Sequence, residues 1–113
     1  MDRRTRVGRE GEDAAVELLE NSGYVVIARN VRLPGGEIDV IAREGGVIAF
    51  VEVKARGSRR FGSALAAVDA RKRRTLRAIA ADWLQIAAPG ARARFDVVTI
   101  DGPRVRLHRG AFA

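Results

Sequence analysis

The sequence predicts an α/β protein in which helices pack on a mixed sheet, and three observations carry that prediction. Two segments repeat apolar residues at helical spacing, five more show β-branched or alternating strand patterns, and they follow in the order α, β, β, β, α, β, β. With 113 residues the chain suffices for one core, so residues 1–113 are expected to form a single domain.

Residues 8 to about 22, "GREGEDAAVELLENS", place Ala15, Leu18, Leu19 and Ser22 at helical spacing, with Gly23 as the stop. Asp13, Glu17 and Glu20 form the polar stripe opposite. Glu12 falls outside that stripe, three and seven residues before Ala15 and Leu19, and projects from the apolar side. A carboxylate there wants a partner. "YVVIARNVRL", 24 to 33, is a strand closed by Pro34-Gly35-Gly36, and strands at about 37 to 43 and 47 to 55 follow. After the loop "RGSRRFGS", residues 69 to 87 form a helix: Leu76, Ile79, Ala80, Trp83, Leu84 and Ala87 make its apolar face, Asp69 caps it and Pro89-Gly90 ends it. Trp83 therefore belongs to the core. "ARFDVVTI" and "RVRLH" read as a closing hairpin across Asp101-Gly102-Pro103; Asp96 in its first strand is assigned no chemistry, and His108 is expected at the surface.

The hairpin of residues 37 to 55 is apolar, yet it carries Glu37, Asp39, Glu52 and Lys54. If Gly45-Gly46 is the two-residue loop that Gly-Gly favours, residue 44 pairs with 47, and counting outward sets Asp39 opposite Glu52 and Glu37 opposite Lys54 on one face. A three-residue loop would instead put Asp39 opposite Val51. Directly opposed like charges destabilise a sheet, and a divalent cation removes the conflict. Magnesium or manganese suits such a site, since hard oxygens from one or two carboxylates, waters and a phosphate complete the shell. Asp39, Glu52 and the backbone carbonyl of Val53 are the candidate ligands, Glu12 supplies a further oxygen directly or through water, and Lys54 is placed to hold a phosphate oxygen or orient water. The plainer reading of the same pattern is solvated edge charges with a weak Glu37–Lys54 ion pair.

Lys and Arg number 21 against 14 Asp and Glu, a formal charge of +7 that favours a polyanionic partner, nucleic acid above all. Arg56, Arg59 and Arg60 follow the acidic strand, where they would grip flanking phosphates. "RKRR", Arg71 to Arg74, wraps around a helix start, so only part of it, taken as Lys72 and Arg73, can form a binding stripe. The absence of cysteine excludes thiolate metal sites, and the lone His108 argues against structural zinc. No run approaches a membrane span and no apolar signal core follows the first charges, so a cytoplasmic protein without membrane contact is expected.

Asp39 with Glu52-Val53-Lys54 resembles the acidic, then acidic-x-Lys core of the PD-(D/E)XK nuclease superfamily, although Ile38 stands where that name has proline. More closely, "GREGEDAA", "GEIDVIA", "FVEVKAR", Phe61-Gly62 and the helix containing Lys72 look like the largely uncharacterised bacterial YraN-like family, similar in fold to archaeal Holliday junction resolvases. The likeness runs from about Gly8 to Val98. It implies a restriction-endonuclease-like αβββαβ core, a divalent metal, a nucleic-acid substrate, Glu12 as the early-helix acid of the site, and a homodimer for two-stranded cleavage. The expected function is thus a metal-dependent endonuclease acting on DNA at junctions or flaps. The alternative is a catalytically silent nucleic-acid-binding module on a nuclease scaffold, and a basic adaptor for acidic proteins has only the charge behind it.

Overall fold

Ala15 and Leu19 are fully buried on one side of helix α1, which spans Arg3–Asn21 in the computed structural model. The structure describes residues 3–56 and 69–113, with side chains for 8–55 and 69–113. The helix starts earlier than expected because "RTRVG" lacks the apolar repeat by which a helix is recognised in sequence. It ends as expected: Gly23 takes φ 97°, and the Tyr24 N–H returns to the Leu19 carbonyl at 3.0 Å.

Five strands follow or flank the second helix: β1 (Val25–Leu33), β2 (Gly36–Glu44), β3 (Val47–Arg56), β4 (Arg92–Asp101) and β5 (Arg104–Phe112). Helix α2 (Ala70–Ala87) lies between β3 and β4, and the Asp69 carboxylate caps it by accepting from the Lys72 N–H at 2.9 Å. The strands form one mixed sheet in the order β1-β2-β3-β4-β5, antiparallel except for the parallel β3–β4 pair that α2 bridges. β5 runs to Phe112 rather than stopping at His108, because Gly110 at φ 60° lets the strand pass a register shift while its N–H bonds Asp96.

The two faces of the sheet pack separate cores. Val40, Ala42, Ala49, Val51 and Val98 meet Ala15 and Leu19 of α1, whereas Ile41, Ile48 and Phe50 meet Leu76, Ile79 and Ala80 of α2. Trp83 meets Phe50 edge-on at 5.7 Å between centroids, as a core residue should, but Ala87 is exposed because α2 outruns the sheet beneath it. Where α2 crosses the start of β2, a Cβ on Gly36 would lie 2.7 Å from the buried Ile79 Cδ1.

One polar network is built into the α1 side. Asp96, fully buried, accepts from Tyr24 Oη at 2.6 Å, Arg94 Nε at 2.9 Å and the Gly110 N–H at 2.9 Å. Arg94 also pairs with Glu44, and Arg109 pairs with the same carboxylate at 2.6 Å while its guanidinium lies 5.3 Å from the Tyr24 ring centre. Burial, with the hydrogen bond to Asp96, pushes the Tyr24 hydroxyl up to about 12, and the two arginines, Arg109 foremost, bring Glu44 down to about 2. Removing the hub would strand Arg94 and a buried hydroxyl together. Asp96→Ala is therefore expected to destabilise the protein by about 3–5 kcal/mol in urea unfolding at neutral pH, against about 1 kcal/mol for an average substitution. A loss within that average would mean the network contributes little.

Candidate metal and phosphate site

Gly45, at φ 60°, and Gly46 form a two-residue turn, and β2 pairs with β3 from Glu44 opposite Val47 to Val40 opposite Val51. This is the register the sequence count requires. At Asp39 the ladder changes character: the Val53 N–H donates to Asp39 Oδ2 at 2.8 Å, so a side-chain carboxylate takes the place of a backbone acceptor. The usual alternation also breaks here. Ile38 packs with the α2 core and Val40 with the α1 core, although residues two apart in a regular strand share a face. On β1, the residue between Arg29 (opposite Val40) and Val31 (opposite Ile38) is Asn30, which adopts φ 53°.

Glu52 shares the α2 side with Phe50 and is only 6% exposed. It lies close enough to Asp39 for the two carboxyls to interact directly. Burial first, and then the Asp39 carboxylate, push Glu52 up to about 8, while Lys72 and, to a lesser degree, Lys54 draw it back down. Lys72 reaches in from the first turns of α2, its Nζ 3.6 Å from Glu52 Oε2. That contact is an ion pair longer than a hydrogen bond, and among the described residues Oε2 is the one buried side-chain oxygen or nitrogen with no hydrogen-bond partner. An acid in this state is held at a cost that a bound cation would relieve.

The other expected members are placed less centrally. Glu12 is buried on α1, as its position predicts, but its Oε1 accepts from Arg29 Nε at 3.0 Å and from Asn30 Nδ2 at 2.9 Å. Among the described residues no three Asp, Glu or His side chains gather around one point, and Glu12 is held by Arg29 and Asn30. Glu37 pairs with Arg32 on β1 at 3.5 Å and not with Lys54, because backbone pairing between β2 and β3 stops at Val40. Val53 brings its N–H to Asp39, and its side chain packs on the α1 core. Arg73 lies over the Phe112 ring, 5.3 Å from its centre. The Arg56 side chain, Arg59, Arg60 and Phe61-Gly62 lie outside the described residues.

Two polar residues of this face escape a reading from sequence. Thr99 is buried beside β3 as the register partner of Lys54, and its Oγ1 lies 3.0 Å from Nε2 of His108, which is half-buried and not free at the surface. The available signal was the Gly102-Pro103 turn: counting outward from it sets Thr99 opposite Arg106, as observed.

As donors, Asp39 and Glu52 offer the hard oxygens that divalent cations accept, one of them buried without a hydrogen-bond partner. Glu52 also couples the site to stability. Its carboxyl titrates near 8 when folded against an ordinary value of 4.5, so its contribution is fully present below pH 4.5 and is lost as pH rises through 8. Glu52→Gln, which cannot ionise, is expected to match the wild type in thermal melting at pH 4 and to melt higher, by roughly 4 °C or more, at pH 9. Equal melting at both pH values would show that Glu52 ionises freely in the fold.

The chain matches the model of an uncharacterised protein family, UPF0102, over residues 11–100. It is 50% identical to a UPF0102 protein of Symbiobacterium thermophilum over 113 residues, covering 95% of this chain and 96% of the relative. A UPF0102 protein of Desulfosudis oleivorans is 43% identical, with 99% of this chain and 94% of the relative covered, and one of Moorella thermoacetica is 48% identical, with 88% and 83% covered. On the family match and these near full-length identities, the chain belongs to UPF0102, the YraN-like family.

Proposed function

We propose that this protein is a divalent-metal-dependent endonuclease of the PD-(D/E)XK type, with a restriction-endonuclease-like αβββαβ core extended by β5, that binds DNA and hydrolyses its phosphodiesters. The observation that carries the reading is the buried Glu52 Oε2, without a hydrogen-bond partner, beside Asp39 with two ammonium groups near it. An ordinary structural carboxylate in this sheet, Asp96, collects three donors instead. The net charge of +7 favours a polyanion.

Asp39 and Glu52, with the Val53 carbonyl, would hold Mg2+ or Mn2+, which when bound neutralises phosphate charge and lowers the pKa of a bound water. Asp39 is oriented for this by the Val53 N–H, which holds its Oδ2 at 2.8 Å. Glu52 would hold the cation as its ionised carboxylate, the form that a neighbouring positive charge favours. Lys54, on the same face as Glu52, donates to a phosphate oxygen and orients the attacking water. That water's oxygen bonds phosphorus as one ester P–O bond breaks, leaving a phosphate monoester on one fragment and a hydroxyl on the other. Few aromatics are available for base stacking, so backbone and shape recognition at junctions or flaps fits this chain better than single-strand reading. Two copies would serve two-stranded cleavage.

Glu12 favours a second reading. With its carboxylate committed to Arg29 and Asn30, the early-helix acid is not delivered to the pair, which suits a scaffold that binds nucleic acid without turnover.

Isothermal titration of MnCl2 is expected to give binding heat with the wild type and none with Asp39→Asn. On branched and duplex DNA with Mg2+, Lys54→Ala is expected to slow cleavage about 10²–10⁴-fold, and Glu52→Gln to abolish it. Metal heat without cleavage would select the silent scaffold; no heat in the wild type would overturn both the metal site and the nuclease.

A further inference from the structure

On the α2 side of the sheet the chemistry does not end at Glu52. Phe50 and Phe95 pack with α2, so alternation directs Lys54 on β3 and Thr99 on β4 to the same side. Val105 and Leu107 of β5 pack with α1, which directs Arg106 and His108 to the α2 side as well. Register then aligns them: Lys54 stands opposite Thr99 and Thr99 opposite Arg106, one row across three strands, while Glu52, Val97 and His108 form the row beside it. The Thr99–His108 contact at 3.0 Å ties the two rows together.

The rows run from Glu52, Val97 and Thr99, all buried, out to the exposed Arg106 on β5. Helix α2 starts above Glu52, through Lys72, and runs toward the opposite end of β3, where Trp83 meets Phe50. Arg106 is exposed, Lys54 and His108 are half-buried, and among the described residues no hydrogen bond or ion pair engages the Arg106 guanidinium. Asp101, at the end of the face opposite Arg104, is the one acid of β4 or β5 on this side.

We propose that Lys54, Thr99, Arg106 and His108 form a phosphate-binding shelf that receives the DNA backbone flanking the carboxylate pair; this rests on the nucleic-acid reading above. Charge complementarity and continuity with Glu52 argue for that occupant. Lys54 and Arg106 stand two strand spacings apart, about 10 Å, so the two cations engage different phosphates of the backbone. Arg106 grips bidentately through its planar fork. Thr99 holds the His108 ring by Nε2, leaving Nδ1 for a third phosphate contact.

The test is fluorescence anisotropy of labelled duplex and four-way-junction DNA, with CaCl2 in place of Mg2+, titrated with the full chain from 50 to 200 mM NaCl. Arg106→Ala, an exposed change that leaves the cores intact, is expected to weaken binding and to lower the slope of log K against log salt by about one. Arg106→Glu is expected to weaken binding at least tenfold, and His108→Ala to weaken it further without altering the melting temperature by more than a few degrees. Arg92→Ala, exposed at the far end of β4, is expected to leave affinity and slope unchanged. Wild-type binding that survives Arg106→Glu with an unaltered slope would overturn the shelf while leaving the proposed nuclease standing. A wild type that binds none of these DNAs would overturn both.

Discussion

The hydrogen bond from the Val53 N–H to Asp39 decides what the central hairpin becomes. Up to Val40 opposite Val51 the two strands form a regular ladder between two apolar cores. A carboxylate that accepts a backbone donor interrupts that ladder, ties its own side chain to the neighbouring strand, and brings a second acid, Glu52, against it. Two like charges then share a place with little water. The arrangement is stable in the folded chain because Glu52 keeps its proton near neutrality and because Lys72 and Lys54 lie close by. On the proposed reading, a cation would take the place of that proton.

The contrast with Asp96 shows that the tension at Glu52 is local and not a general property of the fold. Both acids are buried in the same sheet, one residue of register from one another across the β3–β4 pair, yet Asp96 is surrounded by a hydroxyl, a guanidinium and a backbone N–H. Satisfied in this way, a buried charge rigidifies its surroundings and joins β1, β4 and β5. The parallel pairing of β3 and β4 sets the ends of both strands, and the start of α2, at the same edge of the molecule, where the unsatisfied acid sits. Open α/β sheets place ligands at such edges.

Much of this was legible in the chain. Apolar spacing located both helices, and Gly45-Gly46 offered two registers according to loop length, of which the structure takes the two-residue one, with Val40 opposite Val51. Glu12 was recognisable as a buried acid from its helical phase. What it pairs with was not, because Arg29 and Asn30 arrive from a strand whose distance from α1 no spacing rule encodes. The Arg73–Phe112 contact was hidden for a similar reason: it depends on β5 extending past Gly110, which no apolar repeat in the sequence announces. The Thr99–His108 contact depends on strand order, which decides neighbours before any turn can fix their register.

Asn30 illustrates how tightly two unrelated demands can meet in one side chain. Its backbone is left-handed at φ 53°, a conformation open mainly to glycine, asparagine and aspartate, and its amide donates to Glu12. Glycine would satisfy the bend but offer no donor; aspartate would bend equally well but set a second negative charge against the first. Only the amide meets both conditions. Position 30 thus supplies one of the two donors that hold the early acid, the other being Arg29.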